Sequence, residues 1–274
     1  MDKYLVVGNP IAHSKSPDIH AEFARLTQQT MTYERFLGDL ESFETQIKDF
    51  FEQGGKGFNV TVPFKERAYA LCDVLSNRAK TAGAVNTLLQ NQNGEIYGDN
   101  TDGIGMVRDI TVNNSQSMKG KRILVLGAGG AVRGILEPVL AQQPSELVIA
   151  NRTVSKAQTL VDIFGPEAFP ETTRAAMGFA EVEGEFDMII NGTSASLSGD
   201  LPPIPDSVIG KTTWCYDMMY AKEPTVFLAW AQRLGAQGCD GLGMLVEQAA
   251  EAFTLWRNKR PETQALIKAM HEAL

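Results

Sequence analysis

Two periods alternate along the chain. Short runs of β-branched and aliphatic residues give way to stretches in which apolar side chains recur every three or four positions, the order strand, helix, strand, helix of an α/β protein. Tyr4-Leu5-Val6-Val7 reads as the first strand, with a loop over 8–16 behind it. Pro17 opens a helix whose Ile19, Phe23 and Leu26 share one face. Residues 57–62 alternate strictly, with Phe58, Val60 and Val62 on one side and Asn59 and Thr61 on the other. Pro63 stops that strand, and a helix is expected from Lys65 to Leu75. Residues 87–90 and 95–97, joined across Asn93-Gly94, form a hairpin-like return.

The pattern changes near Asp102-Gly103. A helical stretch to about Val112 leads into the polar run 113–117, read as a linker. A buried-type strand at 122–126, a glycine turn, a helix to about Leu140 and a strand at 147–150 follow. Further strands are expected at 186–190 and 213–216, a long helix from Gly243 to about Trp256, and a last helix opened by Pro261. The expected architecture is α/β with two domains: residues 1–103 with 242–274 as one, and 104–241 as a doubly wound, Rossmann-type dinucleotide-binding domain.

Composition narrows the function classes. A chain of 274 residues buries a sizeable core without disulfides or metals. Its 43% hydrophobic and 21% charged residues exclude disorder and coiled coils. The net charge of −8 is spread evenly with no basic arm, which argues against nucleic-acid binding. The longest apolar stretch, 123–132, is about half a membrane span. The first residues lack the features of a secretory signal, so no membrane association and a cytoplasmic location are expected. Cys72, Cys215 and Cys239 are far apart and read as reduced, buried thiols. With His13, His20 and His271 they offer no metal-ligand spacing, so no metal is expected.

Gly127-Ala128-Gly129-Gly130-Ala131-Val132 follows a strand and opens a helix. Glycine at 127 permits a tight turn, glycine at 129 admits a pyrophosphate close to the backbone, and the helix N-terminus offers free N–H groups. Val132 replaces the smaller residue usual at the third fingerprint position, so wider packing of helix on strand is expected there. The next strand ends in Asn151-Arg152-Thr153, with Lys156 one turn on. NAD sites place an acidic residue there for the ribose 2′-hydroxyl, whereas Arg152 can grip a 2′-phosphate and stack on adenine. NADP(H) is therefore the expected cofactor.

In the N-terminal half, Ser14 and Ser16 flank a helix start, where Ser16 before Pro17 reads by itself as an N-cap. Two hydroxyls beside a helix dipole can equally bind a carboxylate. Asn59 and Thr61 on a polar strand face, Lys65, and Asp102 in a turn are each unremarkable alone. Together these segments resemble the shikimate dehydrogenase family over the whole chain. Ser14-Lys15-Ser16-Pro17, Asn59-Val60-Thr61-Val62-Pro63-Phe64-Lys65, Gly83-Ala84-Val85-Asn86-Thr87 and Asn100-Thr101-Asp102-Gly103 carry the resemblance in the first half. The glycine turn, Asn151-Arg152-Thr153, Asn191-Gly192-Thr193-Ser194, Asp217-Met218-Met219-Tyr220 and Asp240-Gly241-Leu242-Gly243-Met244 carry it in the second.

The resemblance implies reversible NADPH-dependent reduction of 3-dehydroshikimate to shikimate, on the route to aromatic amino acids. It implies a substrate domain and a dinucleotide domain with a cleft between them. Ser14, Ser16 and Tyr220 would hold the substrate carboxylate. Thr61, Asn86, Gln248 and Asp102, with Asn59 beside them, would hold the ring hydroxyls. Lys65 and Asp102 would be the catalytic pair, and Met218 and Gly241 would line the nicotinamide. Ala128, Gly130, Ala131 and Thr193 would join the cofactor site. A small-molecule substrate and a monomer or homodimer are implied. Gly192 and Ser196 depart from the family's commoner alanine and glycine.

These residue types suit the chemistry. A lysine ammonium held by an aspartate supplies both charge stabilisation and a transferable proton to an oxygen gaining negative charge. Oxidation requires the neutral amine, so that direction is expected to speed up in alkali. The alternatives are an NAD-using quinate/shikimate dehydrogenase, disfavoured by Arg152, and a catalytically idle NADP-binding sensor, which would have no use for Lys65 and Asp102.

Overall fold

A computed structural model describes residues 1–165, 167–195 and 199–274. They form two compact units, one of Met1–Gly105 with Leu245–Ala269 and one of Met106–Met244 with Met270–Leu274. Among the described residues no helix is long and apolar enough to cross a membrane.

The first unit is built on strands β1 (Asp2–Gly8), β2 (Met31–Leu37), β3 (Gly57–Val60), β4 (Val74–Leu75), β5 (Thr87–Gln90) and β6 (Ile96–Asp99). They lie in the order β2-β1-β3-β5-β6-β4. β1 pairs in parallel with β2 and β3, while β5 runs antiparallel to β3 and β6. Helices α1 (Ser16–Thr27), α2 (Phe43–Glu52), α3 (Lys65–Leu71), α4 (Asn77–Ala82) and α5 (Asp102–Arg108) belong to this half of the chain. α2 buries Phe43, Ile47 and Phe51 against Phe58, Val60 and Phe64.

Several expected boundaries move, each for a local reason. Ser16 is the first residue of α1, not its cap: Lys15 takes the cap position, and Ser14 Oγ accepts the Ser16 N–H at 3.3 Å. Leu26 is 43% exposed, because the aromatic cluster under α1 ends at Phe23. β3 ends at Val60, and Val62 is 63% exposed, because Thr61 C=O already accepts the Phe64 N–H and closes a turn. Asn59 is buried, so the polar side of this strand faces the interior of the unit. α3 stops at Leu71, where Cys72 turns extended and Val74–Leu75 pairs with β6.

The second unit contains β7 (Arg122–Leu126), β8 (Glu146–Ala150), β9 (Thr173–Met177), β10 (Phe186–Asn191), β11 (Ile209–Asp217) and β12 (Gln237–Cys239). All neighbours are parallel, in the order β12-β11-β10-β7-β8-β9. Strand order reverses between β7 and β10, the point outside whose carboxyl ends ligands bind in such sheets. α6 (Gly130–Leu140), α7 (Val154–Val161) and α8 (Val226–Arg233) provide the crossovers. The near-continuous Ile123–Leu126 run is buried because parallel strands are covered on both faces. The expected linker is partly helical: α5 continues into a π turn over Asp109–Asn113, and Asn114 folds back to donate to the Asp109 carbonyl.

α9 (Leu242–Arg257) is followed by α10 (Gln264–Glu272). In the first unit, Trp256 Nε1 donates to Leu88 C=O at 3.0 Å, and the indole packs against Tyr4 with the rings tilted by 30° and their centres 4.7 Å apart. Gly57 is required there, since a Cβ would come within 2.6 Å of Trp256 Nε1. Pro261 does not open α10. Arg260 bonds to Glu247 and Glu251, and Thr263 Oγ1 to Glu247 Oε1 at 2.6 Å, so residues 260–263 are pinned to α9 outside any helix and α10 starts after them.

His20 is fully buried among Phe23, Tyr33, Phe253 and Trp256, stacked on Tyr33 at 4.1 Å. Burial pushes its imidazole down to about 3, opposed only by the nearby Asn59 amide. The folded protein therefore holds His20 neutral while the unfolded chain takes up a proton as pH falls through the ordinary histidine range near 6.5. Stability from this group is complete above that pH and is lost as pH falls from there toward 3. A His20→Phe variant should lose up to about 1.4 kcal/mol per pH unit of that acid dependence, read from urea unfolding between neutral and acid pH. An unchanged slope would mean the imidazole is not buried neutral.

Candidate functional site

In the first unit the turn after β3 and the start of α5 bring Lys65 and Asp102 together. Lys65 Nζ donates to Asp102 Oδ2 at 2.6 Å, with the two side chains 30% and 19% exposed. An ammonium has three N–H groups and the carboxylate uses one, so donors remain for a ligand. The other oxygen, Asp102 Oδ1, accepts from Asn86 Nδ2 at 2.8 Å, and the Asp102 N–H is turned in by Asn100 Oδ1 at 3.2 Å. Gln248, on α9, joins them through its Oε1, which accepts from Asn86 Nδ2 and Thr101 Oγ1 at 3.4 Å each. Gly105 allows α5 this close approach, since a Cβ would lie 2.6 Å from the Gln248 backbone N.

The strand end that presents Asp102 is anchored by charge. Asp99 accepts from Arg78 Nε and Nη2 at 2.7 Å, from Ser76 Oγ at 2.6 Å and from the Asn100 N–H at 2.7 Å. Burial works against the Arg78 charge, but Asp99 and Glu251 overcome it and raise its pKa. Neither Arg78 nor Asp99 carries a motif signal that singles it out.

Ser14 lies in the loop after β1, where Arg35 Nε and Nη2 hold its carbonyl at 2.9 and 2.6 Å. Thr61 sits at the end of β3, with its methyl in the space left by Gly8, where a Cβ would lie 2.5 Å away. Asn59 is already committed: its Oδ1 accepts from Tyr33, and its Nδ2 donates to Asn86 C=O and Thr87 Oγ1. Its N–H groups are therefore engaged inside the unit. Ser14, Ser16, Asn59, Thr61, Lys65, Asn86, Asp102 and Gln248 all belong to this unit, whereas Tyr220 belongs to the other.

In the second unit, candidate cofactor residues cluster at the β7/β10 reversal. Gly127 has φ +104°, a conformation costly for any other residue, and its N–H donates to Ala150 C=O at 2.8 Å. A Cβ at Gly129 or Gly130 would meet nothing within 4 Å, and α6 starts with no side-chain cap. Its N-terminal N–H groups and open backbone fit a pyrophosphate. Arg152 and Lys156, at the start of α7, are exposed and available for a phosphate. Asn151 Nδ2 shapes that turn by donating to Thr153 C=O at 2.9 Å. Neighbouring strand ends are tied together by Asp217, which accepts from Asn191 Nδ2 at 3.2 Å, the Met219 N–H at 3.0 Å and Thr225 Oγ1 at 2.6 Å. Asn191 Oδ1 in turn holds Thr193 Oγ1 at 2.7 Å. Gly241 meets this group backbone to backbone, its N–H on Met219 C=O at 3.1 Å. Burial, with Asp240 nearby, raises the Tyr220 phenol above its ordinary pKa.

Two of the departures from the family pattern turn out to compensate each other. A Cβ on Gly192 would lie 2.4 Å from Val132 Cγ2 and 3.1 Å from Met218 Sδ. The larger residue at 132 is accommodated by the smaller one at 192, so the helix does not need to move outward. Gly192→Ala should cost about 1–3 kcal/mol by overpacking, and Val132→Ala should recover much of it in the double variant. Urea unfolding of the four proteins of the cycle checks this; strictly additive effects would contradict it. The third departure, Ser196, lies outside the described residues.

A parallel sheet with a glycine turn in one unit and a lysine–carboxylate pair in the other define the class of two-unit dinucleotide-binding α/β proteins. Family models match three stretches: the shikimate dehydrogenase substrate binding domain at residues 6–88, shikimate/quinate 5-dehydrogenase at 109–198, and the shikimate 5′-dehydrogenase C-terminal domain at 241–273. The shikimate dehydrogenase (NADP(+)) of Alkalilimnicola ehrlichii is 53% identical over 270 residues, covering 98% of each chain. That of Hahella chejuensis is 54% identical over 273 residues, covering 99% of each. The crystal structure of shikimate 5-dehydrogenase from Thermus thermophilus in complex with NADP(H) and shikimate superposes with a TM-score of 0.84 at 31% identity, covering 100% of both chains. The chain belongs to the shikimate dehydrogenase family.

Proposed function

We infer that this protein is an NADP-dependent shikimate dehydrogenase, interconverting 3-dehydroshikimate and shikimate on the route to aromatic amino acids. The single observation that carries the reading beyond family membership is the 2.6 Å contact between Lys65 and Asp102, with free ammonium donors left over. When bound, NADP(H) supplies or accepts the hydride. Everything else falls to side chains of the chain. Lys65 Nζ delivers a proton to the substrate oxygen during reduction and takes it back during oxidation, while Asp102 orients the amine and balances its charge. Asn86 and Gln248 fix Asp102 and the neighbouring Thr101, and with Thr61 they bound the space for ring hydroxyls. Ser14 and Ser16 serve the carboxylate. Gly127, Ala128, Gly129, Gly130 and Ala131 form the pyrophosphate turn, Arg152 and Lys156 take the 2′-phosphate, and Thr193, Met218 and Gly241 flank the nicotinamide. We further propose that residues 1–103 and 242–274 form the substrate domain and 104–241 the NADP domain of a cytoplasmic monomer or homodimer.

Purified protein mixed with shikimate and either NADP or NAD, followed by nicotinamide absorbance, tests substrate and cofactor together. Turnover is expected with NADP and markedly less with NAD at equal concentration. No turnover of shikimate with either cofactor would overturn the reading in favour of an idle binding protein.

A further inference from the structure

Beneath the Lys65–Asp102 pair lies a buried polar chain to which no motif points as a whole. Tyr33 O–H donates to Asn59 Oδ1 at 2.7 Å. Asn59 Nδ2 donates to Thr87 Oγ1 at 3.0 Å, and Thr87 O–H donates to Asn86 Oδ1 at 2.8 Å. Asn86 Nδ2 donates to Asp102 Oδ1 at 2.8 Å, and the other carboxylate oxygen receives Lys65. Asn59, Asn86 and Thr87 are each 6% exposed or less.

The direction of every link is dictated by neighbours that can play only one part. Asn86 C=O can only accept, so it fixes the NH₂ end of Asn59 toward itself at 3.2 Å and leaves Oδ1 facing Tyr33. The phenol must then be the donor. The Thr101 N–H can only donate, so it fixes Asn86 Oδ1 at 2.9 Å and turns the Asn86 NH₂ toward the carboxylate. Thr87 accepts from Asn59, and the nearer acceptor for its own hydroxyl is Asn86 Oδ1 at 2.8 Å, with Thr101 Oγ1 farther off at 3.4 Å. All donors therefore point the same way, from Tyr33 toward Asp102. Bonds arranged head to tail polarise one another, more so in a buried, low-dielectric setting.

We propose that Tyr33 is a positioning residue for the reaction, the head of a one-way donor chain through Asn59, Thr87 and Asn86 that fixes Asp102, and through it Lys65. The phenol is itself held in place, its ring stacked on His20 at 4.1 Å. Neither Tyr33 nor Thr87 is needed to touch substrate or cofactor in this role. The inference rests on the Lys65–Asp102 pair being the acid–base machinery of shikimate oxidation.

Tyr33→Phe and Thr87→Val test it, because each removes one hydroxyl and keeps the volume and packing. Each single variant should lose about two- to tenfold in kcat/KM for shikimate, the scale of one hydrogen bond, while the Kd for NADPH from fluorescence titration stays unchanged. Because the links act in series, the double variant should be no worse than the poorer single one. Thr87→Ser restores the hydroxyl and should recover activity. Wild-type kcat/KM in a folded Tyr33→Phe or Thr87→Val protein would overturn the proposal. So would losses that multiply in the double variant, failure of Thr87→Ser to recover activity, or a matching loss of NADPH affinity. If Tyr33→Phe does not fold, the contrast between Thr87→Val and Thr87→Ser still decides. A wild-type protein that does not oxidise shikimate at all would instead refute the functional reading on which this rests.

Discussion

A Lys65→Met enzyme should turn over shikimate at least about a hundredfold more slowly than the wild type, within the roughly 10²–10⁴ range typical of general acid–base catalysis. Methionine keeps most of the apolar stem and removes both the charge and the proton, so packing changes little. Lys65 begins α3 and is tied to the rest of its unit by its backbone C=O, which accepts from the Val85 N–H at 2.9 Å. That bond survives the substitution, and the position of the side chain is otherwise governed by Asp102 at 2.6 Å. The affinity for NADPH should hold, because the cofactor residues proposed above lie on other elements. Asp102→Asn should lower both turnover and shikimate affinity, since the carboxylate holds the amine at 2.6 Å and is proposed above to bound the ring-hydroxyl space. Single-turnover kinetics together with NADPH titration separate these effects. Near-normal turnover of Lys65→Met across neutral and alkaline pH would end the acid–base assignment and require the proton to reach the substrate by water or another hydroxyl.

Arg152→Ala should raise the KM for NADP about ten- to a hundredfold, equivalent to about 1.5–3 kcal/mol for a charged hydrogen-bonded contact, and leave the KM for NAD nearly unchanged. The asymmetry follows from chemistry: the 2′-phosphate exists only on NADP, and an exposed guanidinium with no carboxylate partner among the described residues can turn to meet it. Lys156, one turn along at the start of α7, adds a second and weaker positive charge. Steady-state kinetics with both cofactors decide the matter. Equal effects on NADP and NAD would show that Arg152 does not read the phosphate.

The parts of the molecule legible in the sequence are those governed by short-range rules. The Ile123–Leu126 run, the glycine turn after it and the helix opening at Gly130 follow from strand composition and from backbone freedom at Gly127, whose φ is +104°. The hairpin-like pair of β5 and β6 follows from Asn93-Gly94 between two β-prone runs. Lys65, Asn86 and Asp102 were recognisable as candidates because each sits in a short, specific segment. β2 was not legible: its Met-Thr-Tyr-Glu-Arg-Phe-Leu stretch lies at a sheet edge, and its exposure follows no strict alternation. Tyr33 lies on that strand, so no local pattern singles out the head of the polar chain. Alternation assigns Asn59 to the polar side of β3 but does not show what covers it: Asn59 is 6% exposed because Tyr33 and β5 lie over it.

By itself, then, the amino-acid order determined two successive α/β halves, a dinucleotide turn with a cationic rather than acidic follower, and the residues fit for acid–base chemistry. Periodicity, turn residues and charge act over a few positions, so they can be read without knowing what packs on what. Tertiary structure alone decided that Lys65 and Asp102, 37 positions apart, meet at 2.6 Å. It also decided that Val132 fills the space Gly192 leaves, and that Tyr33, Asn59, Thr87 and Asn86 all donate toward one carboxylate. The physical reason is that hydrogen-bond direction and steric fit depend on which groups surround a side chain in space. Those surroundings are assembled from strands and helices far apart in the chain.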